Sequence, residues 1–421
     1  MRFLNETQIE AIRERFGTPI YVYDQVGLEK AADQVLAFPA PCRLVGRFAM
    51  KALPTAAILR VLDAKGLHID ASSGYEAERA LHAGIAPEKI QITAQELPKD
   101  LKGLIQRGVL YNACSLHQLR RFGESFPGGE VSVRINPGLG SGHNNRTNVG
   151  GPSSSFGIWH EKLDEVLAIA REFDLTLSGM HTHIGSGGDP EVWKQCVGLT
   201  LAVAKRLPDL TRLSLGGGFK VARMEGENSA NLDEIGRALL PTLSDFLANL
   251  DKGRGDDFQL EIEPGTFLVA NSGTLLAEIM DIVDTGATTD GGNTFLKVDT
   301  GMTELVRPSM YGAQHPLIVV AHGHPAAKEE MDYLVAGHCC ESGDILTPAP
   351  GDPEGLLHRR MAKAEIGDTL VIEGAGAYAS GMATKNYNAF PEAAEVLIDK
   401  KGEAKLIRKR QTLEQALQNE L

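Results

Sequence analysis

The feature that most constrains this chain is a rhythm. Short apolar runs recur at 43–51, 68–72, 90–95, 109–115, 131–136, 177–184, 212–216 and 259–263. Helical spacing fills most of the gaps between them, as in Ala56–Ala64, Glu76–Ala83, Leu116–Phe122, Leu163–Glu172, Val192–Arg206 and Leu239–Leu250. Strands alternating with helices at this density predict a (β/α)8 barrel of the TIM type over residues 25–265. A doubly wound sheet is the rival, since counting strands does not decide closure. The polar residues favour the barrel: Lys51, Asp70, Ser73, Asn136, His183, Gly216 to Gly218 and Glu263 fall at or just beyond C-terminal strand ends. That is the face on which barrels build their sites.

After Glu263 the texture changes. Strand-like runs at 267–271, 274–283, 294–298, 316–320, 331–335 and 369–373 have little helix between them and are punctuated by Gly and Pro, which predicts a β-rich, sandwich or Greek-key-like domain. Residues 1–17 have helical spacing, with Ile9, Ile12 and Phe16 on one face, and residues 25–37 are helical again. Between them Thr18–Asp24 reads as a strand that lacks a sheet in the barrel, so it is expected to pair with the C-terminal domain, which then comprises 1–24 and 266–421. Thr347–Glu354 reads as a surface loop and Gln411–Leu421 as an exposed polar helix. A chain of 421 residues accommodates one large barrel and a smaller module.

The formal charge of −13 and the absence of a basic cluster argue against a nucleic-acid surface. No apolar stretch reaches the roughly 18 residues of a membrane span, and Met1–Glu6 carries no signal-peptide pattern. Five cysteines, with only Cys339 and Cys340 close together, form neither a metal-ligand spacing nor a disulfide framework, so a reducing cytoplasm is expected.

Four stretches carry chemistry. Lys51 closes the apolar run Arg43–Met50 and is followed by Pro54. At a strand mouth its ammonium would be partly desolvated, which lowers the pKa and makes the amine nucleophilic toward aldehydes; a snorkelling lysine at a strand end is the plain alternative. His181 and His183, at i and i+2 on a strand, point the same way. They could ligate a metal, but no HExxH spacing or cysteine pair supports that, and the expectation is that no metal is bound. A histidine at a barrel mouth can instead stack on a planar ligand. Gly216-Gly217-Gly218 after the seventh strand lets backbone N–H groups converge on a phosphate, or simply makes a tight turn. Glu261 and Glu263 share a face of the eighth strand. Inward they require partners, such as a protonated ring nitrogen; outward they would pair with barrel helices. An imine-forming lysine, a phosphate cradle, a stacking histidine and a ring-nitrogen carboxylate together are what pyridoxal phosphate requires.

With these parts in place the chain resembles, nearly end to end, the alanine-racemase-type (fold type III) pyridoxal-phosphate decarboxylases. The resemblance is carried by Thr18–Asp24, Phe48-Ala49-Met50-Lys51-Ala52, His183-Ile184-Gly185-Ser186, Gly216–Gly218, Glu263-Pro264-Gly265, Asp299–Met302, Arg307–Gly312, Cys340–Asp344 and Gly376-Ala377-Tyr378. It implies that Lys51 forms the Schiff base with the cofactor and that His183 stacks on the ring. Asp70, Ser186, Gly216 to Gly218, Gly265 and Tyr378 would complete the cofactor site, with Glu263 on the ring nitrogen. It also implies a head-to-tail homodimer with shared sites, Cys340 and Glu341 arriving from the second subunit, and Cys340 as proton donor after carbon dioxide leaves. Arg307, Tyr311, Glu341 and Tyr378 would read the substrate.

Each residue has a plainer reading. Cys339 and Cys340 suit a core, Arg307 a surface, and Asp70 and Ser73 the cap of the Glu76 helix. Within the family the motifs are most similar to the branch that converts meso-2,6-diaminopimelate to L-lysine. One departure stands out: the family usually continues Glu-Pro-Gly with arginine, and here the residue is Thr266. That keeps open decarboxylation of ornithine, lysine, a D-amino acid or carboxynorspermidine, or a homologue that binds cofactor without turnover. Arg146, in the unusual loop Ser141–Ser155, and Lys220 are the candidate replacement cations.

Overall fold

The computed structural model describes residues 1–139, 150–183, 187–250, 255, 257–286 and 292–421. They form two compact units: Glu29–Val221 with Asn228–Leu268, and Met1–Leu28 with Ala222–Glu227 and Val269–Leu421.

The first unit is the barrel. Its strands are β1 (Arg43–Ala49), β2 (His68–Ala71), β3 (Ile90–Thr93), β4 (Leu110–Ala113), β5 (Glu130–Asn136), β6 (Thr176–His181), β7 (Arg212–Ser214) and β8 (Gln259–Ile262). Each runs parallel to its neighbours; β8 pairs with β1 and β4 with β5, so the sheet closes and the doubly wound alternative falls. Helix starts are fixed by side-chain caps: Ser73, Ser115, Asp189 and Asn231 each accept a bond from a backbone N–H of the first turn.

A closed barrel has a packed interior, and charges inside it need partners. Arg47 Nε and Nη2 donate to Glu261 at 2.8 and 3.1 Å, with both side chains almost wholly buried. One layer on, Arg212 Nη2 donates to Ser132 at 2.6 Å and to Gln91 at 3.0 Å. Glu261 therefore points inward and is satisfied from the neighbouring strand.

The second unit is sheet-rich. Ile20–Asp24 joins it as expected, antiparallel to Gly273–Asp284 and parallel to Ala394–Ile398. Its core packs Ile9 and Ile12 of the helix Glu6–Phe16 against Ile20, Val22, Leu276, Val371 and Val396. The short segment Ala222–Glu227, which leaves the barrel after the triple glycine, belongs to this unit: Asn271 Nδ2 donates to Ala222 O at 3.0 Å and Arg2 Nη2 to Arg223 O at 2.6 Å.

Several expectations fail locally. The run 267–271 is not a strand but a helical turn Thr266–Val269 followed by a 3-10 turn Ala270–Ser272. Thr347–Glu354 is not simply a loop, since Pro348–Ala349 pairs with Asp352–Leu356. Strands Arg359–Ala362, Ala394–Ile398 and Ala404–Arg408 were not anticipated. Among the described residues no helix is long and apolar enough to cross a membrane.

Candidate active site

The C-terminal ends of the barrel strands gather one group of the expected residues. Strand β1 ends at Ala49, and Met50–Ala52 turns as a 3-10 helix. Lys51 is consequently exposed, not partly desolvated as the sequence suggested, because the turn lifts it beyond the strand and its neighbours. Gly265 approaches this turn so closely that a Cβ there would stand 3.3 Å from Ala49 Cβ and 3.4 Å from Ala52 Cβ.

Glu263, just past β8, is buried and held by two donors: His181 Nε2 at 2.7 Å and Ser214 Oγ at 2.7 Å. Burial pushes its pKa up, but His181 and Ser214 outweigh burial and hold the carboxyl below its ordinary range, so it is ionised. Asp70 on β2 is the opposite case. Burial and the nearby Glu263 raise its pKa, with Lys51 pulling the other way. It is not a helix cap; Ser73 caps that helix, and Asp70 Oδ1 is buried with no hydrogen-bond partner.

His183 follows β6. Its Nδ1 accepts the Gly217 N–H at 2.9 Å, which leaves the proton of the neutral ring on Nε2. Burial, then Arg134 and Lys51, press its pKa well below the ordinary value, so the ring is neutral. The His181 and His183 rings lie nearly parallel, 6.3 Å apart. His181, His183 and Glu263 offer ligand atoms within 4.8 Å of one another, a possible metal triad by distance. In the protein's own hydrogen bonds Glu263 accepts from His181 and Ser214, and His183 Nδ1 from Gly217 N–H. Arg134, missed by sequence reasoning, is buried on β5 with its guanidinium 4.8 Å over Phe156.

The glycine run wraps beneath His183. Gly216 and Gly218 have φ of +71° and +104°. A Cβ on Gly216 would stand 2.5 Å from Thr182 O, and one on Gly217 2.2 Å from Glu263 O. Only glycine fits, and the turn is tied down by its own N–H groups: Gly216 donates to Ser214 Oγ at 3.1 Å and Gly217 to His183 Nδ1 at 2.9 Å. Ser186 and Arg146 lie outside the described residues.

The second unit carries the remaining expected residues in two clusters. Arg307 and Tyr311, on the short helix Arg307–Tyr311, and Tyr378, held at φ +55°, are half-buried and electrostatically close. Burial lowers the Arg307 pKa. Arg223 belongs to the same cluster and was not singled out from sequence.

The other cluster is the loop 337–345. Asp344 is buried and accepts Met302 N–H at 2.7 Å and Cys339 N–H at 2.9 Å. A Cβ on either Gly301 or Gly337 would come within 2.2 Å of its carboxylate, so both glycines are space for this brace. The brace separates the two adjacent thiols. Cys339 is buried, with burial and Asp344 pushing its thiol up to about 12, whereas Cys340 and Glu341 are exposed.

Residues 28–270 match the model of the pyridoxal-dependent decarboxylase family, pyridoxal binding domain. A diaminopimelate decarboxylase of Streptomyces coelicolor is 37% identical, with 99% of this chain and 92% of that protein covered. A crystal structure of diaminopimelate decarboxylase superposes with a TM-score of 0.90 at 34% identity, over 99% of this chain and 97% of the other. The Helicobacter pylori diaminopimelate decarboxylase complexed with L-lysine gives 0.82 at 25% identity, over 97% and 98%.

Proposed function

The chain belongs to the pyridoxal-dependent decarboxylases, and from that premise we propose that it decarboxylates meso-2,6-diaminopimelate to L-lysine as a cytoplasmic homodimer. The residues fit the cofactor. Lys51 is exposed, His183 offers a flat neutral ring, the glycine run makes a close turn beside it that leaves no room for a Cβ, and Asp70 Oδ1 and His181 Nδ1 are buried without hydrogen-bond partners among the described residues. The observation that carries the reading is Glu263, a buried carboxylate kept ionised by His181 and Ser214, the charge state that a protonated ring nitrogen requires of its partner.

Pyridoxal phosphate, when bound, supplies a protonated ring that takes up the electron pair left by departing carbon dioxide. Lys51 Nζ would hold its aldehyde carbon covalently and yield that position to the substrate amine. Glu263 would keep the ring nitrogen protonated. His183 would support the ring face, and Gly216 to Gly218 with Ser186 would hold the phosphate, with Gly265 and Tyr378 alongside. Cys340 Sγ would deliver a proton to the carbon that lost carbon dioxide. Its exposure, against the buried and protonated Cys339, supports that role and its supply from a second subunit. Arg307, Tyr311 and Glu341 would hold the substrate's far end.

Release of carbon dioxide and lysine from meso-diaminopimelate by the purified, pyridoxal-phosphate-loaded protein tests this. Faster turnover of ornithine, lysine, a D-amino acid or carboxynorspermidine would favour the second reading, which Thr266 motivates. No turnover of any of them would make the chain a cofactor-binding homologue.

A further inference from the structure

A substrate that keeps one carboxylate through the reaction needs a fixed cation to read it, and this chain has threonine where the family usually places arginine. The second unit holds a cation in an unusual setting. The turn Ala222–Glu227 is clamped by Glu227 Oε2, which accepts the N–H groups of Arg223 at 2.7 Å and Met224 at 3.1 Å. Beyond the clamp the Arg223 side chain meets the loop that leads to Tyr378. Its Nε donates to Gly374 O at 3.0 Å, and a Cβ on Gly374 would stand 3.1 Å from Arg223 Cγ, so a glycine makes the room.

The Arg307 charge reaches this guanidinium: burial, then Arg307, lower the Arg223 pKa to about 9. The buried His315 feels both, and with its Nδ1–H on Glu373 O at 3.0 Å it stays neutral and adds no third positive charge. Among the described residues Arg223 Nη2 and Arg307 Nε are both buried with no hydrogen-bond partner. The Glu227 charge acts on both arginines, yet these N–H groups remain unsatisfied, which is costly in a folded protein unless an acceptor completes them. A planar carboxylate suits a guanidinium better than it suits an ammonium.

We propose that Arg223 is a substrate-specificity residue, which together with Arg307 binds the carboxylate that a dicarboxylic diamino acid retains after decarboxylation. This rests on the reading that the substrate is such an acid. It assigns to Arg223 the charge that Thr266 lacks.

The test is steady-state kinetics on the holoenzyme. Wild-type turnover of meso-diaminopimelate tests the underlying reading by itself. Given that turnover, Arg223→Gln is expected to raise KM for meso-diaminopimelate and the inhibition constant of L-lysine together by ~10- to 100-fold, the size of a charge-assisted hydrogen bond lost from a carboxylate, with kcat changed less. Arg223→Lys should recover part of the loss. Weak turnover of ornithine, which lacks the second carboxylate, should move by no more than ~3-fold, so discrimination between the two substrates collapses. A melting temperature and a pyridoxal-phosphate affinity like those of wild type show that the variant is folded and loaded. Unchanged KM for meso-diaminopimelate in folded Arg223→Gln overturns the assignment. So does a fall in cofactor affinity with KM intact, which would give the guanidinium to the phosphate instead. An equal loss on both substrates would reduce Arg223 to a scaffold residue and overturn it as well.

Discussion

Replacing Arg47 by methionine isolates the charge pair on which the barrel interior depends. Glu261 is 1% exposed and receives two hydrogen bonds from Arg47. Burial alone pushes its carboxyl up, but Arg47 and then Arg212 outweigh burial and bring it from 4.5 to about 2. That drop corresponds to about 3 kcal/mol in favour of the ionised form. It agrees with the roughly 3–5 kcal/mol expected when one partner of a buried pair is removed. Arg47→Met should therefore lower the unfolding free energy by about 3–5 kcal/mol at pH 7, read from urea titration by circular dichroism. Arg47→Met with Glu261→Met should recover part of it, because the pair is replaced by apolar groups while Arg212, 3.9 Å from Glu261, loses its carboxylate. The sign with pH follows from the depressed carboxyl. Its contribution is present in full above the unfolded value near 4.5 and is lost as pH falls toward 2, so the gap between wild type and Arg47→Met narrows below about pH 4.5. A loss under about 1 kcal/mol at pH 7, or a double variant no better than the single, would refute the reasoning.

The two thiols should separate cleanly. Cys340→Ala is expected to keep the visible absorbance of the bound cofactor and lose about 10²- to 10⁴-fold in kcat, the usual worth of a positioned acid, while Cys339→Ala loses little; wild-type rates in Cys340→Ala would remove that thiol from the reaction. Mixing Lys51→Ala and Cys340→Ala protomers should restore part of the activity through hybrid dimers, and no recovery after verified exchange would count against shared sites. Gly337→Ala should lower kcat about 10-fold or more while cofactor affinity holds, since its Cβ would displace the Asp344 carboxylate that braces the Cys340 loop; an unchanged kcat would show the brace to be unnecessary.

The barrel was legible because its strands are parallel and covered on both faces, so each reads as a short apolar run with a polar residue at its mouth. Glu261 and Glu263 could be placed on one face together because a strand repeats every two residues, but not inward or outward. What the sequence withheld is long-range or short. Thr266-Phe267-Leu268-Val269 is an apolar run of a length that suits strand or helix equally, and it turned out to be a helical turn. The exposure of Lys51 depends on where β1 stops, and strand ends are set by tertiary contacts more than by composition. Arg223 sits in a turn with no periodicity, and its companion Arg307 is far along the chain, so no local pattern joins them. The division of labour between Cys339 and Cys340 likewise comes from Asp344, whose two backbone bonds bury one thiol and leave the other exposed.

The central claim is that the amine at the mouth of β1 carries the cofactor. Borohydride reduction of the loaded protein, followed by peptide mass mapping, reads that bond directly. The account predicts one pyridoxyl-phosphate mass per chain, on Lys51, and none in Lys51→Ala. A label on another lysine, or an unlabelled protein after saturating cofactor, would contradict it.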